Sequence, residues 1–346
     1  MIEVQFNWIF VMIAGSLILL FFIAIVNWQR GLAETNLAKD VRNNLRTIIT
    51  HSKLGTEESR ENLIRTPNKK INFVCEDATS SFNIEKTGVS ESLATTVLFS
   101  PDFIKGREMV TYTMKWKSPF FIMNFLYITS PEVRYILVKD AAQPETEAKA
   151  NEFYTLLPEK ILKEITDYSE IGTIQNTNNY KIKFIFFYQT HSGNIAPSFP
   201  DFFDKIKNQI TAININDDGI KFYKYNTDIS RYFQEQGDDP LPFIETPSLI
   251  GAAFAEDAEN YKCNMEKAFK KYKIMAELYK NRNDILSTEP TLITSCSYYT
   301  TTALDSIILQ LNTGFGVANI ETIKTNANDL VQKNSDAESD SCPLIY

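Results

Sequence analysis

This chain of 346 amino acids contains two histidines, and one of them belongs to a group of four residues whose side chains and positions could serve catalysis. All four lie shortly after segments rich in β-branched and aromatic residues, which the pattern predicts to be strands. They are Asp140 after VRYILV, His191 after KIKFIFFY, and Asp217 and Asp218 after TAININ. In open α/β sheets, ligands bind beyond the carboxyl ends of the strands. Carboxylates and an imidazole at that edge would suit acid–base catalysis or metal binding.

Each member of this strand-end cluster also has an ordinary explanation as turn or loop chemistry. In NINDDGIKF, the Asp-Gly pair between two strands is typical of a tight β-hairpin. No P-loop, GxGxxG, HExxH or GxSxG motif occurs in the sequence. We therefore expect a protein that is not an enzyme and holds no cofactor or metal. The strand-end cluster is the basis of the alternative.

The four cysteines favour disulfide bonds over a metal site. An even number of cysteines, with none in a CxxC pair, suits two disulfides in an oxidising compartment. Two antiparallel helices predicted near the C-terminus bring Cys296, at the start of one, close to Cys342, just past the end of the other. This geometry favours Cys296–Cys342 among three possible pairings. It leaves Cys75 to join Cys263 and tie the strands to the helices.

The N-terminal segment has the composition of a membrane span. Residues 7–29 contain no charged side chain, and their apolar part is bounded by Trp8 and Trp28. At the helical rise per residue these tryptophans stand roughly 30 Å apart, the thickness of a hydrocarbon layer. Tryptophan at both ends is typical of the two membrane interfaces. We predict a single-pass signal-anchor that contacts the lipid bilayer, preceded by a short tail of residues 1–6.

A membrane-proximal amphipathic helix is predicted to follow the anchor over residues 30–54. Its apolar side chains recur every three or four residues and form one stripe on an otherwise polar helix. They are Ala38, Val41, Leu45 and Ile48. Such a stripe indicates that the helix packs against another part of the protein after it leaves the membrane.

Two features disagree on which side of the membrane the body lies. Arg30, Lys39, Arg42 and Arg46 follow the span, and positive charges favour the cytoplasmic side. The cysteines favour the outside, because disulfides persist in oxidising compartments. We expect an extracytoplasmic body, with a cytoplasmic body as the alternative.

The remainder of the chain predicts an α/β (or α+β) fold, with a mixed, mostly parallel sheet followed by helices. Helical stretches at 145–168 and 199–210 separate predicted strands, as in βαβ units. Helices are also predicted over 295–312 and 318–334. The expected divisions are a linker (55–70), an α/β domain (71–230), a Pro-rich connector (231–249), a helical region (250–336) and a C-terminal tail (337–346).

Charge and periodicity bear on the partners. The net charge of −8 disfavours nucleic acid and anionic lipid as main partners. An apolar stripe from Ala258 to Tyr279 steps by three and four residues. It predicts a helix that packs inside the protein, with a partner protein as the alternative use of the stripe.

Four segments carry a resemblance to known proteins: QFNWIF, NFLYITSPEVRY, YKCNMEKAF and SCPLIY. They resemble a group of single-span archaeal membrane proteins that has no assigned function. The resemblance implies no catalytic residues, and it favours an anchored body outside the cell. The N-terminal helix is also similar to that of type IV pilin-like subunits, but Glu3 precedes the apolar run and the body is larger than a pilin head.

These observations predict a membrane-anchored, cell-surface-facing structural or interaction protein, of a kind found in envelope or secretion-type assemblies. A protein partner is expected, and nucleic acid is not. One alternative is a membrane-anchored α/β enzyme that uses the strand-end cluster. The other is a cytoplasm-facing membrane scaffold.

Overall fold

The computed structural model describes residues 2–54, 60–175, 179–187, 200, 203, 205–206, 209–226, 232–292 and 296–346. Its helices are α1 (Ile2–Leu54), α2 (Pro144–Leu156), α3 (Glu245–Phe254), α4 (Ala258–Thr288), α5 (Thr302–Thr313) and α6 (Val317–Ser339). Its strands are β1 (Arg60–Arg65), β2 (Ile71–Glu76), β3 (Thr79–Ile84), β4 (Val89–Ala94), β5 (Leu98–Phe99), β6 (Phe103–Ile104), β7 (Glu108–Lys117), β8 (Phe121–Thr129), β9 (Val133–Lys139), β10 (Leu162–Asp167), β11 (Lys181–Phe186), β12 (Ile210–Asn216), β13 (Gly219–Asn226) and β14 (Tyr232–Leu241).

The predicted anchor and membrane-proximal helix form one continuous helix, α1, of 53 residues. Trp8 and Trp28 are exposed, as are most apolar side chains between them. In the part of the chain that the structure describes, α1 is the one helix long and apolar enough to cross a membrane. Further along, Ala38, Val41 and Leu45 have no exposed surface. The same helix therefore provides both an apolar span and a face that packs on the body.

The helix α1 packs on two small sheets. Their strand orders are β1-β7-β8-β5 and β4-β3-β2-β6. The buried stripe of α1 packs in one apolar cluster with residues of both sheets, among them Ile64, Phe82 and Leu126. The exposed Arg46 adds an ion pair to Glu91 of β4, with 2.5 Å between Nη2 and Oε1. The span is thus joined directly to the folded body.

A six-stranded mixed sheet forms the centre of the body, in the order β10-β9-β11-β12-β13-β14. Its first four strands are parallel and its last two are antiparallel. The predicted α/β class with a mixed sheet is confirmed. The mostly parallel character holds for this sheet, whereas the two smaller sheets are antiparallel except where β5 pairs with β8.

The predicted helix over 145–168 is too long. The helix α2 ends at Leu156, and residues 162–167 form the edge strand β10 beside β9. Pro158 explains the break, because a proline disfavours helical geometry in the residue before it. Leu157 is accordingly extended, with ψ of 145°. Half of the other predicted helix, 199–210, lies outside the described residues, and Ile210 at its end opens β12.

Two segments expected to be connectors contain regular structure. The predicted linker 55–70 includes β1, which pairs with β7. The predicted connector 231–249 includes the edge strand β14 and the start of α3. Pro240 is tolerated because β14 lies at a sheet edge, and Pro247 because it lies in the first turn of α3. Proline content alone therefore gave the wrong prediction here.

The C-terminal helices shift from their predicted bounds. The helix α5 begins at Thr302 rather than near 295, and α6 extends to Ser339. Residues 296–300 are not helical, and Tyr299 Oη donates a hydrogen bond to the carbonyl oxygen of Pro343 at 2.8 Å. The segment before α5 is therefore held against the chain end, so its tyrosines pack there instead of continuing the helix.

Both disulfides join the pairs favoured by the sequence. Cys75 of β2 is bonded to Cys263 of α4, and Cys296 is bonded to Cys342. The first bridge ties a small sheet to the helical layer across 188 residues of chain. The second fixes the C-terminal tail beside the segment that precedes α5.

Trp116 of β7 is the centre of the contact between the sheets and the helices. It is fully buried, and its ring lies 5.0 Å from Phe125 and 6.4 Å from Phe269 of α4, centroid to centroid. Its Nε1 donates a hydrogen bond to the carbonyl oxygen of Ile244 at 3.0 Å. Because the other two tryptophans are in the span, the emission of Trp116 reports on folding of the body.

The packing of α1 on the body predicts a difference between two identical substitutions on that helix. Leu45→Ala removes a fully buried side chain and should lower the free energy of unfolding by about 2–5 kcal/mol. Leu32→Ala, at a position 47% exposed, should change it by less than about 0.5 kcal/mol. The measurement is denaturant unfolding in detergent micelles, followed by Trp116 emission in a Trp8→Phe, Trp28→Phe background. Equal effects would contradict the packing described for α1.

Candidate functional site

The sheet topology brings together the carboxyl ends of the strands that precede the strand-end cluster. The strands β9, β11 and β12 are parallel neighbours, so the residues that follow them meet at the same edge of the sheet. Asp140 follows β9 and Asp217 follows β12. Because one strand separates them, these two strand ends lie roughly 10 Å apart. His191, which the sequence places after β11, lies outside the described residues.

Asp140 is engaged in the turn that leads into α2. Its Oδ1 accepts a hydrogen bond from the backbone N–H of Ala142 at 2.9 Å. Its Oδ2 accepts a hydrogen bond from Gln143 Nε2 at 3.0 Å. Both carboxylate oxygens therefore bind the chain locally, which is the turn chemistry that the sequence offered as the ordinary explanation.

Asp217 and Asp218 lie in the β12–β13 hairpin. Asn216 Oδ1 accepts hydrogen bonds from the backbone N–H groups of Asp218 and Gly219, each at 3.1 Å. Gly219 has φ of +136°, a conformation that favours glycine, and so the Asp-Gly hairpin predicted from the sequence is confirmed. Asp217 is exposed, and its Oδ1 lies 3.7 Å from Lys149 Nζ. Among described residues, no three His, Cys, Asp or Glu side chains are grouped to hold a metal ion.

A cleft of about 330 Å³ opens at the same edge of the sheet. It lies between α2, the ends of β11 and β12, and α3, and its lining is mainly apolar, with Phe153, Phe187 and Ile215 at its base. Lys149 and Asp217 line it as well. Its size and apolar character suit a small ligand, and its position matches the strand-end crevice of α/β sheets. It is the feature that supports the enzyme alternative.

A buried serine–lysine pair joins α4 to the small sheets. Lys267 Nζ donates hydrogen bonds to Ser80 Oγ and, at 2.7 Å, to the carbonyl oxygen of Thr96. Burial lowers the pKa of Lys267 from 10.5 to about 7. A neutral lysine beside a hydroxyl is the arrangement of a Ser–Lys nucleophile. Ser80 is only 1% exposed, however, so a substrate does not reach it in this structure, and the pair acts as a polar link between layers.

Two more lysines are buried on β11. Lys183 Nζ donates a hydrogen bond to the carbonyl oxygen of Ala255, and burial lowers its pKa from 10.5 to about 7. Lys181 Nζ lies 2.5 Å from Glu256 Oε2 and 2.6 Å from Asp102 Oδ1. Both lysines bind the junction between α3 and α4. The sequence held a signal for them, because strand alternation places them on the same face as Ile185 and Phe187.

The helix α4 has apolar residues on two faces. Its inner face is the stripe predicted from the sequence, and its members Tyr261, Met265, Ala268 and Tyr272 are buried in the core. The prediction that this stripe packs inside the protein is therefore confirmed.

The outer face of α4 has a second apolar stripe that the sequence analysis missed. Ile274, Leu278 and Ile285 are 55%, 56% and 68% exposed. Spacings of four and seven residues place them on one side of the helix, and we call them the outer stripe. Heptad-type spacing was the signal that could have found them. An exposed row of large aliphatic side chains is the kind of surface that another protein covers.

The two lysines with lowered pKa predict the pH dependence of stability. Between about pH 7 and about pH 9, these two lysines lose their protons in the folded chain but not in the unfolded chain. Stability should therefore rise with pH through this window and be insensitive to these groups below it. Above it, the buried tyrosines oppose the rise, because burial raises their pKa. Lys267→Met should remove roughly half of that slope, whereas the exposed Lys271→Met should leave it unchanged. Unfolding followed by Trp116 emission at a series of pH values measures the slope, and an undiminished slope in Lys267→Met would contradict the assignment.

Comparison with known proteins adds no relative to this description. No protein family, no functionally described protein and no solved structure shows a significant match to the chain. The resemblances drawn from the four sequence segments remain predictions, and the function is argued from the geometry.

Proposed function

We propose that this protein is a membrane-anchored structural or interaction protein, whose body lies outside the cytoplasm and presents the outer stripe of α4 to a partner protein. The observation that carries the proposal is the continuity of α1. Its exposed apolar half suits the bilayer, and its buried stripe, with Ala38, Val41 and Leu45, is part of the body's core. A helix that is shared in this way holds the body in one orientation above the membrane.

The disulfides support the extracytoplasmic side. Both pairs join segments far apart in sequence, and bonds of this kind persist where the surroundings are oxidising. Of the basic residues after the span, Arg46 binds Glu91 of the body. Because Arg46 has this structural role, its positive charge is weaker evidence for a cytoplasmic body.

The position of the outer stripe supports contact with a partner. Lys69, just after β1, pairs with Glu34 of α1 at 2.9 Å, so this end of β1 and the paired end of β7 are near the membrane. The strand β7 then runs about 30 Å to its other end. Beyond it, Phe120 packs on Tyr279 of α4, with 4.5 Å between ring centroids. The outer stripe therefore lies near the end of β7 opposite to the Glu34 contact, and its exposed side chains are accessible to a protein partner.

The alternative function, a small-molecule enzyme, is favoured by the cleft beside α2. It would require His191 to join the edge of the sheet occupied by Asp140 and Asp217. A cytoplasmic scaffold, the third candidate, differs from the proposal only in orientation.

Orientation is tested by thiol labelling of intact cells. We expect a membrane-impermeant thiol reagent to modify Cys296 and Cys342 only after reduction, because an extracytoplasmic body has both in a disulfide. Mass spectrometry maps the modified residues. Labelling that requires lysis but no reduction would mean free cytoplasmic thiols, and the extracytoplasmic body would be withdrawn.

The partner surface is tested with a photo-crosslinking residue at position 278 of the full chain in its native membrane. We expect a protein adduct at Leu278 and none at Leu309, which is 60% exposed on α5 but outside the outer stripe. Ile274→Glu should reduce the yield at position 278 by roughly tenfold, because it places a charge in an apolar contact. Equal adducts at both positions, or a yield unaffected by Ile274→Glu, would exclude the stripe as the contact surface.

A further inference from the structure

Four loops of the body meet at one end, next to the point where α1 leaves the membrane. They comprise residues 66–70, 85–88, 105–107 and 130–132, and we call them the membrane-facing loops. Backbone and side-chain hydrogen bonds join them: Thr66 N–H to Arg107 O at 2.8 Å, Glu85 N–H to Lys70 O at 2.9 Å, and Ser130 Oγ to Lys105 O at 3.0 Å. The loops therefore form one surface.

The height of this surface above the bilayer follows from α1. Lys69 Nζ lies 2.9 Å from Glu34 Oε2. Glu34 is six residues beyond Trp28 on one continuous helix, which places it about 9 Å past the tryptophan at the membrane interface. Lipid headgroups occupy several ångströms of that distance. The membrane-facing loops therefore lie within about one Debye length of the headgroups, where salt screens electrostatic attraction only in part.

The charge of this surface is opposite to that of the chain. The loops contain five cationic residues, Lys69, Lys70, Lys86, Lys105 and Arg107, against the two carboxylates of Glu85 and Glu132. The chain as a whole has a net charge of −8. The membrane-facing loops therefore have an excess of positive charge in a chain that is negative as a whole.

Three of these cations are available to a partner. Lys86, Lys105 and Arg107 are exposed, and within the described parts of the chain no carboxylate forms an ion pair with any of them. The ammonium groups of Lys70 and Lys105 lie near the ring of Phe103, with 4.1 and 5.3 Å from Nζ to the ring centroid. Exposed cations that form no ion pair with a carboxylate are suited to binding anions.

A concave cavity of about 580 Å³ lies among the loops and adds shape to the charge. Lys105 and Arg107 line it, together with Asn68, Tyr180 and the carboxylates of Glu108 and Glu132. Gly106 has φ of +114°, and its lack of a side chain leaves room for Glu132, because a Cβ at this position would lie 2.5 Å from Glu132 Oε1. The cavity is large enough for a lipid headgroup, whose phosphate oxygens would bind its two cations and not its two carboxylates.

We propose that the membrane-facing loops dock on anionic lipid headgroups and hold the body upright on the bilayer. The inference depends on the proposed membrane anchoring and goes beyond it, since it adds a second, electrostatic contact between protein and lipid. An acidic protein is a weaker match, because α1 places this end against the membrane itself.

The test uses the full chain in lipid nanodiscs with a fluorescent probe at Asn68→Cys, an exposed position on the docking surface. Headgroup-spin-labelled lipid quenches the probe according to its distance from the bilayer surface. We expect quenching to rise about twofold when about a third of the neutral lipid is replaced by phosphatidylglycerol. Raising the salt concentration to about 1 M should return the quenching to its initial value, because salt screens the attraction.

Charge-reversal variants separate position from net charge. Lys86→Glu, Lys105→Glu and Arg107→Glu together should abolish the effect of anionic lipid. The matched control, Lys262→Glu, Lys270→Glu and Lys271→Glu, makes the same change in charge at exposed positions on α4 and should retain the effect. Trp116 emission verifies that each variant is folded.

Three outcomes would overturn the inference. They are quenching that does not depend on lipid composition, loss of the effect in the control variant, and persistence of the effect in the loop variant. Failure of the chain to insert into nanodiscs is a separate result, because insertion depends on residues 7–29. That result would overturn the proposed anchoring itself.

Discussion

Burial of the α1 stripe is the interaction on which the arrangement of this protein depends. Ala38, Val41 and Leu45 lose all solvent contact against two small sheets, and Ile49 retains 7%. Burying the three larger side chains contributes on the order of 5–8 kcal/mol before entropy is counted. The helix that carries the candidate membrane span is thus also a core element. A flexible linker after the span would allow the body to tumble, whereas a continuous helix in the proposed anchored arrangement would fix which end of the body faces the lipid.

The layers behind α1 are joined by polar groups as well as by apolar packing. Lys181 links β11 to the α3–α4 junction and to Asp102, and Lys267 links α4 to Ser80 and Thr96. Buried charged and polar groups are costly unless they are paired or hydrogen-bonded, so each lysine favours the arrangement of neighbours that supplies its partners. The Cys75–Cys263 bridge reinforces the same contact between α4 and the small sheets. These links give specificity to an interface that apolar packing alone would leave less defined.

The sequence predicted those features that depend on local pattern. The span, the membrane-proximal stripe, the Asp-Gly hairpin and the disulfide pairing all follow from periodicity, turn chemistry or the ends of helices. The errors arose where tertiary context overrides composition. Pro240 in an edge strand and Pro247 in a first helical turn made a strand and a helix resemble a connector, while the break at Pro158 was overlooked. Sheet pairing, which converts 60–65 and 162–167 into strands, is not visible locally.

The candidate site shows the same limit. The sequence placed Asp140 and Asp217 after predicted strands, and the structure supplies the strand order that brings the ends of β9 and β12 to one edge of the sheet. The hydrogen-bond partners of these carboxylates could not be predicted from the sequence. The carboxylate of Asp140 accepts local hydrogen bonds from Ala142 and Gln143. Buried lysines were missed because lysine is usually exposed, and only alternation with Ile185 and Phe187 reveals their position.

Net charge is a poor guide to the partners of a protein that is fixed in orientation. A value of −8 suggests repulsion from anionic lipid, yet it averages over surfaces that face different surroundings. Screening restricts attraction to about 8 Å, so in the proposed anchored arrangement only the loops beside Glu34 would contribute to contact with the bilayer. In the same arrangement Ile274, Leu278 and Ile285 would lie away from these loops, exposed to a partner protein. Because the buried stripe of α1 fixes this helix to the body, the loops and the outer stripe would keep their separate roles.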